Sequence, residues 1–363
     1  MFERLASRFV QYSGSCDREA AVVTPGIEGR LMTSARLRLR ITAAAAVLSL
    51  FGCAALQQTP SDVVIRQPGD RMLGSPQPAR PEAIKHLEFA WLSEAAYGNT
   101  TAGLEAKGAA VAATGSSTPT GAHAVQYPGC PVSQDALFAH KWKPWPGFPS
   151  DGLLEQIEKY HLRVEVWIRE DPPAVAVAFG GTVLNNKNDW AANFRWFMPK
   201  WLLAGHPDEY SELVQYFAPA FVDEFKSKMN SGLPEWQFLK AATIYSTGHS
   251  LGGGLSQQFA YALPIGAPVA VTQVIAFDPS PVTGFYSVPV QMRDKNKQGL
   301  FIDRVYERGE VLAIVRSLTS LLVAPSAKDP SIRGVRYALF YPAAPIAGHS
   351  MTELACKLND AAK

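Results

Sequence analysis

Apolar side chains recur along the chain with two different periods, and the alternation between them predicts the fold class. Between Glu82 and Tyr97, Ile84, Leu87, Trp91 and Leu92 fall on one helical face with Phe89 near its edge, so the segment is predicted helical. Leu153 to Tyr160 reads as a second helix. Leu162-Arg163-Val164-Glu165-Val166-Trp167-Ile168 then alternates as a strand does, and Ala174 to Phe179 is continuously apolar, as a strand covered on both faces would be. Pro172-Pro173 marks the turn between them. Leu213, Val214, Phe217, Phe221, Val222 and Phe225 give Asp208 to Met229 helical spacing, with Pro219 expected to kink or divide that helix. A β-like run through Ile244 and Tyr245 is followed by Leu251, Phe259, Ala260 and Leu263 at helical spacings, and further strands are predicted at Val271 to Phe277, Leu300 to Tyr306 and Val335 to Tyr341. Strands alternating with helices predict an α/β fold, a mainly parallel central sheet with helices on both faces. Between Gly108 and Gly152, where Trp142, Trp145 and Phe148 are scattered among Ala, Gly, Thr, Ser and Pro, a long irregular excursion is expected.

The N-terminal part has a different grammar. Met32 opens a basic stretch with Arg36, Arg38 and Arg40, then an apolar run from Ile41 to Phe51 ends at Gly52-Cys53. That is the layout of an export signal, and the run is about half of the roughly 20 residues that span a bilayer. Leu50-Phe51-Gly52-Cys53 resembles a bacterial lipobox, which predicts a lipid anchor at Cys53 and an exported protein of the bacterial cell envelope; plain secretory cleavage nearby is the alternative. Residues 1–31 are expected to be an upstream over-translation, 32–53 the signal, 54–81 a flexible tether without a core, and 82–363 the folded domain. Of the four cysteines, this division leaves Cys130 and Cys356, either bonded to each other, as export invites, or separate buried thiols.

Charge narrows the function classes. The 363 residues carry a net charge of +2, but the part after Cys53 has 27 basic against 28 acidic residues, which argues against electrostatic capture of nucleic acid.

The candidate chemistry starts at Gly248-His249-Ser250-Leu251-Gly252. A serine between glycines at a strand-to-helix junction fits a nucleophile elbow, in which a tight turn lifts the hydroxyl clear of the sheet. The base should follow in the chain, and His349 lies between the last predicted strand and a helix opened by Ser350-Met351-Thr352-Glu353, a capping-box pattern. His249, next to the nucleophile, is expected to point away and to be structural. Glu310 is the first candidate for the acid because it stands in a loop just after a strand; Asp278, also ending a strand, is the alternative, and Asp303, within its strand, is expected to be structural. Two oxyanion donors are expected, the N–H of Leu251 and a group at Phe179-Gly180-Gly181-Thr182.

These pieces, with Asp189-Trp190-Ala191-Ala192-Asn193, resemble the class 3 (fungal-type) lipase family over roughly residues 85 to 355. The resemblance implies an α/β-hydrolase fold, an oxyanion residue at Thr182, the acid at Glu310, and hydrolysis of carboxylic esters, often acylglycerols, without a metal or other cofactor. The chain departs from the pattern at Gly180, where the family has Arg, and at Glu310, where it has Asp. The expected partners are therefore an ester or lipid substrate and, through the lipid anchor expected at Cys53, a membrane. Trp196, Phe197 and Trp201 are candidates for an apolar rim or lid over an acyl pocket, with ordinary core packing as the alternative. Two other readings fit the same residues: an inactive hydrolase domain that binds envelope components, and a thioesterase or acyltransferase on the same fold.

Overall fold

The computed structural model describes residues 59, 61–98, 130–131, 133–181, 209–281, 283–310, 312, 324–340 and 349–363, all within one compact unit, Ala55–Lys363. Cys53, Thr182, Trp196, Phe197 and Trp201 lie outside the described residues. Among the described residues, no helix is long and apolar enough to cross a membrane.

The elements in order are β1 (Asp62–Arg66), β2 (Gln77–Pro78), α1 (Arg80–Gly98), α2 (Ser133–Ala139), β3 (Lys143–Pro144), α3 (Asp151–Glu158), β4 (Val164–Glu170), β5 (Pro173–Phe179), α4 (Glu209–Glu212), α5 (Ala218–Asn230), β6 (Thr243–His249), α6 (Leu251–Ala262), β7 (Gln273–Phe277), α7 (Val290–Asn296), β8 (Phe301–Glu307), β9 (Ser331–Tyr337) and α8 (Met351–Ala362). A π-helical stretch, Leu213–Phe217, joins α4 to α5, so the expected interruption near Pro219 is a π-bulge just before it, the proline standing second in α5 directly after the hydrogen-bond pattern has shifted. The nine strands among the described residues form one sheet in the order β2-β1-β9-β8-β7-β6-β5-β4-β3. Pairs from β5 to β9 are parallel, and the four outer pairings are antiparallel. The sheet is therefore mixed: its centre, β5 to β9, is parallel as expected, and its two flanks are antiparallel. Antiparallel pairing of β4 with β5 follows from the turn at Asp171-Pro172, too short for a crossover helix.

Residues 62–66, expected to lie in a coreless tether, form β1 instead. Val63 and Val64 are buried, and β1 pairs with β9 from Val63 opposite Tyr337 to Arg66 opposite Gly334. Trp142, Trp145 and Phe148, placed in the irregular excursion by the sequence, are also core residues. Trp145 stacks on Trp236 at 5.2 Å and meets Phe225 at 6.1 Å. The last strand runs over Ser331–Tyr337, four residues earlier than its pattern suggests, because its polar members find buried partners. Arg333 donates to Asp303 at 2.6 and 2.7 Å and to Glu82 at 2.9 Å. Asp303 thus has a structural role, as expected: burial alone would raise its carboxyl, but His86 and Arg333 hold it below the ordinary value.

The sheet separates two apolar layers. One gathers α3, α5, α6 and the β faces bearing Val175, Val177 and Phe179; the other packs α1 and α8 against Ala174, Ala176, Ala178 and Phe277. The match between α1 and β6 sets the position of the site. Four helical residues advance about 6 Å and two strand residues about 6.6 Å, so residues four apart on α1 can meet alternate residues of β6. Phe89 meets Tyr245 at 4.9 Å between ring centroids, Ser93 bonds Thr247 at 2.8 Å, and Tyr97 bonds His249 at 2.7 Å. Cys130 and Cys356 form a disulfide with Cα atoms 5.5 Å apart. It ties the segment before α2 to α8, and closing so long a loop contributes about 5 kcal/mol in the chain-entropy account.

Candidate active site

β6 ends in a turn that no ordinary strand would make. Ser250, between β6 and α6, has φ 57° and ψ −119°, a region that costs a non-glycine residue about 1–3 kcal/mol and persists only where the surroundings impose it. Backbone hydrogen bonds do so: Ser250 N–H donates to Phe277 O at 2.9 Å, and Ser250 O accepts from Ser280 N–H at 2.9 Å. The glycines admit the close approach this requires. A Cβ on Gly248 would lie 2.4 Å from the carbonyl oxygen of Gly252.

The structure brings three of the sequence candidates into one line. His349 Nε2 lies 3.0 Å from Ser250 Oγ, and His349 Nδ1 lies 3.0 Å from Glu310 Oε2. A carboxylate only accepts, so Nδ1 carries the proton and Nε2 is left to accept from the serine hydroxyl. Glu310 is buried, and its Oε2 also accepts from Leu312 N–H at 2.8 Å. Gly309, at φ 77°, makes the turn that aims it. His349 immediately precedes the N-cap of α8, where Ser350 Oγ accepts from Glu353 N–H at 3.3 Å, as the capping pattern predicts. The disulfide lies in the same helix, so the histidine sits on an anchored element.

Asp278 takes another place. It ends β7 at φ 38°; its Oδ1 accepts from Glu307 N–H at 3.0 Å, and its Oδ2 lies 4.0 Å from His249 Nε2. His249 was expected to point away. It does leave Ser250, dropping with Tyr245 and Thr247 onto the α1 face, but that face is also where α8 delivers His349, and the two imidazole centroids are 4.7 Å apart. Leu251 opens α6, so its N–H belongs to the first helical turn, whose donors have no intrahelical acceptor.

Two residues here escaped the sequence reading. The Tyr97 hydroxyl bonds His249 Nδ1 and accepts from Gly181 N–H, while burial pushes its phenol up. It joins α1, the elbow and the Gly180-Gly181 loop, yet nothing in the sequence around it distinguishes it from a helix-end tyrosine. Glu307, at the end of β8, accepts from Leu339 and Phe340 N–H at 3.1 and 3.2 Å, pinning the strand end that leads towards His349.

Burial, aided by Asp278, pushes Glu307 up to about 7 from an ordinary 4.5, against the N–H groups of Leu339, Phe340 and Arg308. An acid that binds its proton more tightly in the folded state stabilises fully below the unfolded value. That contribution is lost as pH rises from 4.5 to about 7. Melting temperatures measured across this window should show a falling component that Glu307→Gln removes; equal slopes in parent and variant would count against it.

Fold and side chains together define an α/β protein with a mixed sheet, nine strands among the described residues, and a serine elbow facing a His–Glu pair. No family model matches the sequence, and no curated protein matches it. Among solved structures the chain is similar to the Rhizomucor miehei lipase propeptide complex in its native form (TM-score 0.34, 14% identity, 63% of this chain and 62% of that one). It is likewise similar to a deletion mutant of that complex (TM-score 0.36, 15% identity, 68% and 63%) and to a fungal lipase–inhibitor complex (TM-score 0.35, 15% identity, 70% and 78%). The similarity thus spans less than two thirds of the length of the first two.

Proposed function

We propose that the protein is a serine hydrolase of the α/β-hydrolase type that cleaves carboxylic esters, lipid esters foremost, through Ser250, His349 and Glu310. The observation that carries this reading is the line of two 3.0 Å contacts from Ser250 Oγ through His349 to Glu310, with the serine on a strained elbow. His349 Nε2 takes the hydroxyl proton as Ser250 Oγ attacks the ester carbonyl. Glu310 holds the imidazole in the tautomer that can accept and stabilises the imidazolium that forms. The tetrahedral oxyanion is met by Leu251 N–H and, from the neighbouring glycine loop, by Thr182. Collapse passes the proton to the departing alcohol and leaves an acyl-serine, which water, deprotonated by the same histidine, releases as acid. The preference for lipid esters rests on the apolar run with Trp196, Phe197 and Trp201. Export with a lipid anchor at Cys53 belongs to the same proposal, and the Cys130–Cys356 bond supports an oxidising compartment.

Fluorophosphonate labelling tests the reading. The folded parent should label at one serine and Ser250→Ala not at all; a folded parent that does not label would favour the binding-protein alternative.

A further inference from the structure

The end of the sheet that carries Ser250 gathers a second constellation, from the last residue of β6, the residue after β7 and the residue before the N-cap of α8. One ring nitrogen of His249, one carboxylate oxygen of Asp278 and one ring nitrogen of His349 all lie within 4.8 Å of one another. His249 Nε2 and Asp278 Oδ2 are 4.0 Å apart. Each side chain is also held from behind: His249 Nδ1 by the Tyr97 hydroxyl at 2.7 Å, Asp278 Oδ1 by Glu307 N–H at 3.0 Å, and His349 Nδ1 by Glu310 at 3.0 Å. Outer partners of this kind fix the tautomer and direction of metal-binding imidazoles and carboxylates. Two imidazoles and a carboxylate suit Zn²⁺ and its borderline neighbours, whereas Mg²⁺ and Ca²⁺ call for a shell of oxygens that these residues do not supply.

We propose that His249, Asp278 and His349 form an inhibitory site for a divalent ion of the zinc class, whose binding withdraws His349 from its task. Capture through Nε2 removes the acceptor for the Ser250 proton; capture through Nδ1 removes the contact with Glu310. Either leaves the serine without a working base. A tetrahedral ion with bonds of about 2.1 Å sets its donors about 3.4 Å apart, so donors now within 4.8 Å close by at most about 1.4 Å, a side-chain rotation. The ion takes neutral imidazole nitrogens and an ionised carboxylate, so any proton on a donor atom leaves to solvent, and water completes the shell. The inhibitory half of this inference rests on the hydrolase reading; the binding half does not.

Binding is therefore measured apart from turnover, by equilibrium dialysis of Zn²⁺ against full-length protein carrying Ser250→Ala. Inhibition is measured on the parent with a short soluble ester, before and after EDTA. Expected are one zinc per chain, near-complete and EDTA-reversible loss of turnover, and no effect of Mg²⁺. His249→Gln and Asp278→Asn should each weaken zinc binding by about a hundredfold, and Tyr97→Phe, which removes only an outer partner, by about tenfold. Because His249 and Asp278 are buried and their variants can fail to fold, Co²⁺ supplies a measurement on the parent: the visible absorption of a four-coordinate ion, abolished by Zn²⁺. No zinc retained at millimolar concentration, no cobalt spectrum, or equal retention by folded His249→Gln and Asp278→Asn proteins would overturn the site. Zinc held by these residues with turnover intact would overturn the inhibitory role. Zinc held by them in a parent that hydrolyses no ester would uphold the site and count against the hydrolase reading alone.

Discussion

Glu310→Gln is expected to lower kcat by about ten-thousandfold while leaving the fold in place. Glu310 Oε2 faces His349 Nδ1 at 3.0 Å, and two consequences follow from its charge. A carboxylate can only accept, so it forces the imidazole proton onto Nδ1 and frees Nε2 for Ser250. It also faces the imidazolium that forms when the serine proton arrives. An amide can turn its NH₂ towards the imidazole, stabilise the wrong tautomer and present the serine with a donor. Leu312 N–H donates to the same Oε2 that faces His349, so an amide that turns its NH₂ inward also loses that bond, and one that keeps its oxygen inward still lacks the charge that the imidazolium needs. Asp278→Asn should cost far less turnover, since Asp278 is turned towards Glu307 and His249. The measurement is kcat on a soluble ester alongside the melting temperature of each variant. A Glu310→Gln enzyme near parental activity beside a dead Asp278→Asn enzyme would transfer the acid role to Asp278.

The line through Ser250, His349 and Glu310 was legible because each residue type is tied to a local pattern: glycines at an elbow, a capping serine after the histidine, a glycine before the acid. Of the parallel strands, β5 and β7 were legible as well, since Val175 to Phe179 and Val274, Ile275 and Ala276 are apolar on both faces. The sheet's flanks were not. β1 is a five-residue strand in Gln-, Pro- and Ser-rich surroundings, and only long-range pairing with β9 makes Val63 and Val64 a core. β9 contains Arg333 and Gly334, which read as loop until Asp303 and Glu82 are seen to receive the guanidinium. Tyr97 and His249 meet only because α1 and β6 advance together, a geometric coincidence that one-dimensional spacing does not contain. The His249–His349 proximity is of the same kind: it depends on α8 and α1 sharing one face of the sheet.

Among the glycines of the described residues, Gly252→Ala should be the most damaging substitution and Gly152→Ala one of the least. A Cβ on Gly252 would lie 2.1 Å from the carbonyl oxygen of Phe179, 2.8 Å from its carbonyl carbon and 2.9 Å from the carbonyl carbon of Gly180. All three are backbone atoms of the β5 end, and β5 is held by pairing with β6, where Phe179 lies opposite Gly248. No flexible side chain stands there to give way. Relief requires α6 to lift from β5, which carries Leu251 N–H and Ser250 away from the glycine loop. The expected cost exceeds the roughly 1–3 kcal/mol of ordinary overpacking, and residual folded protein should have lost turnover as well. Gly152, in the first turn of α3, would place its Cβ in open space, with nothing within 4 Å. There alanine restricts the unfolded chain at no steric cost and should stabilise by about 0.5–1 kcal/mol. Urea denaturation of the two variants against the parent reads both signs in one experiment. A Gly252→Ala protein with parental stability and turnover would mean that the elbow does not pack against β5 as closely as its geometry requires.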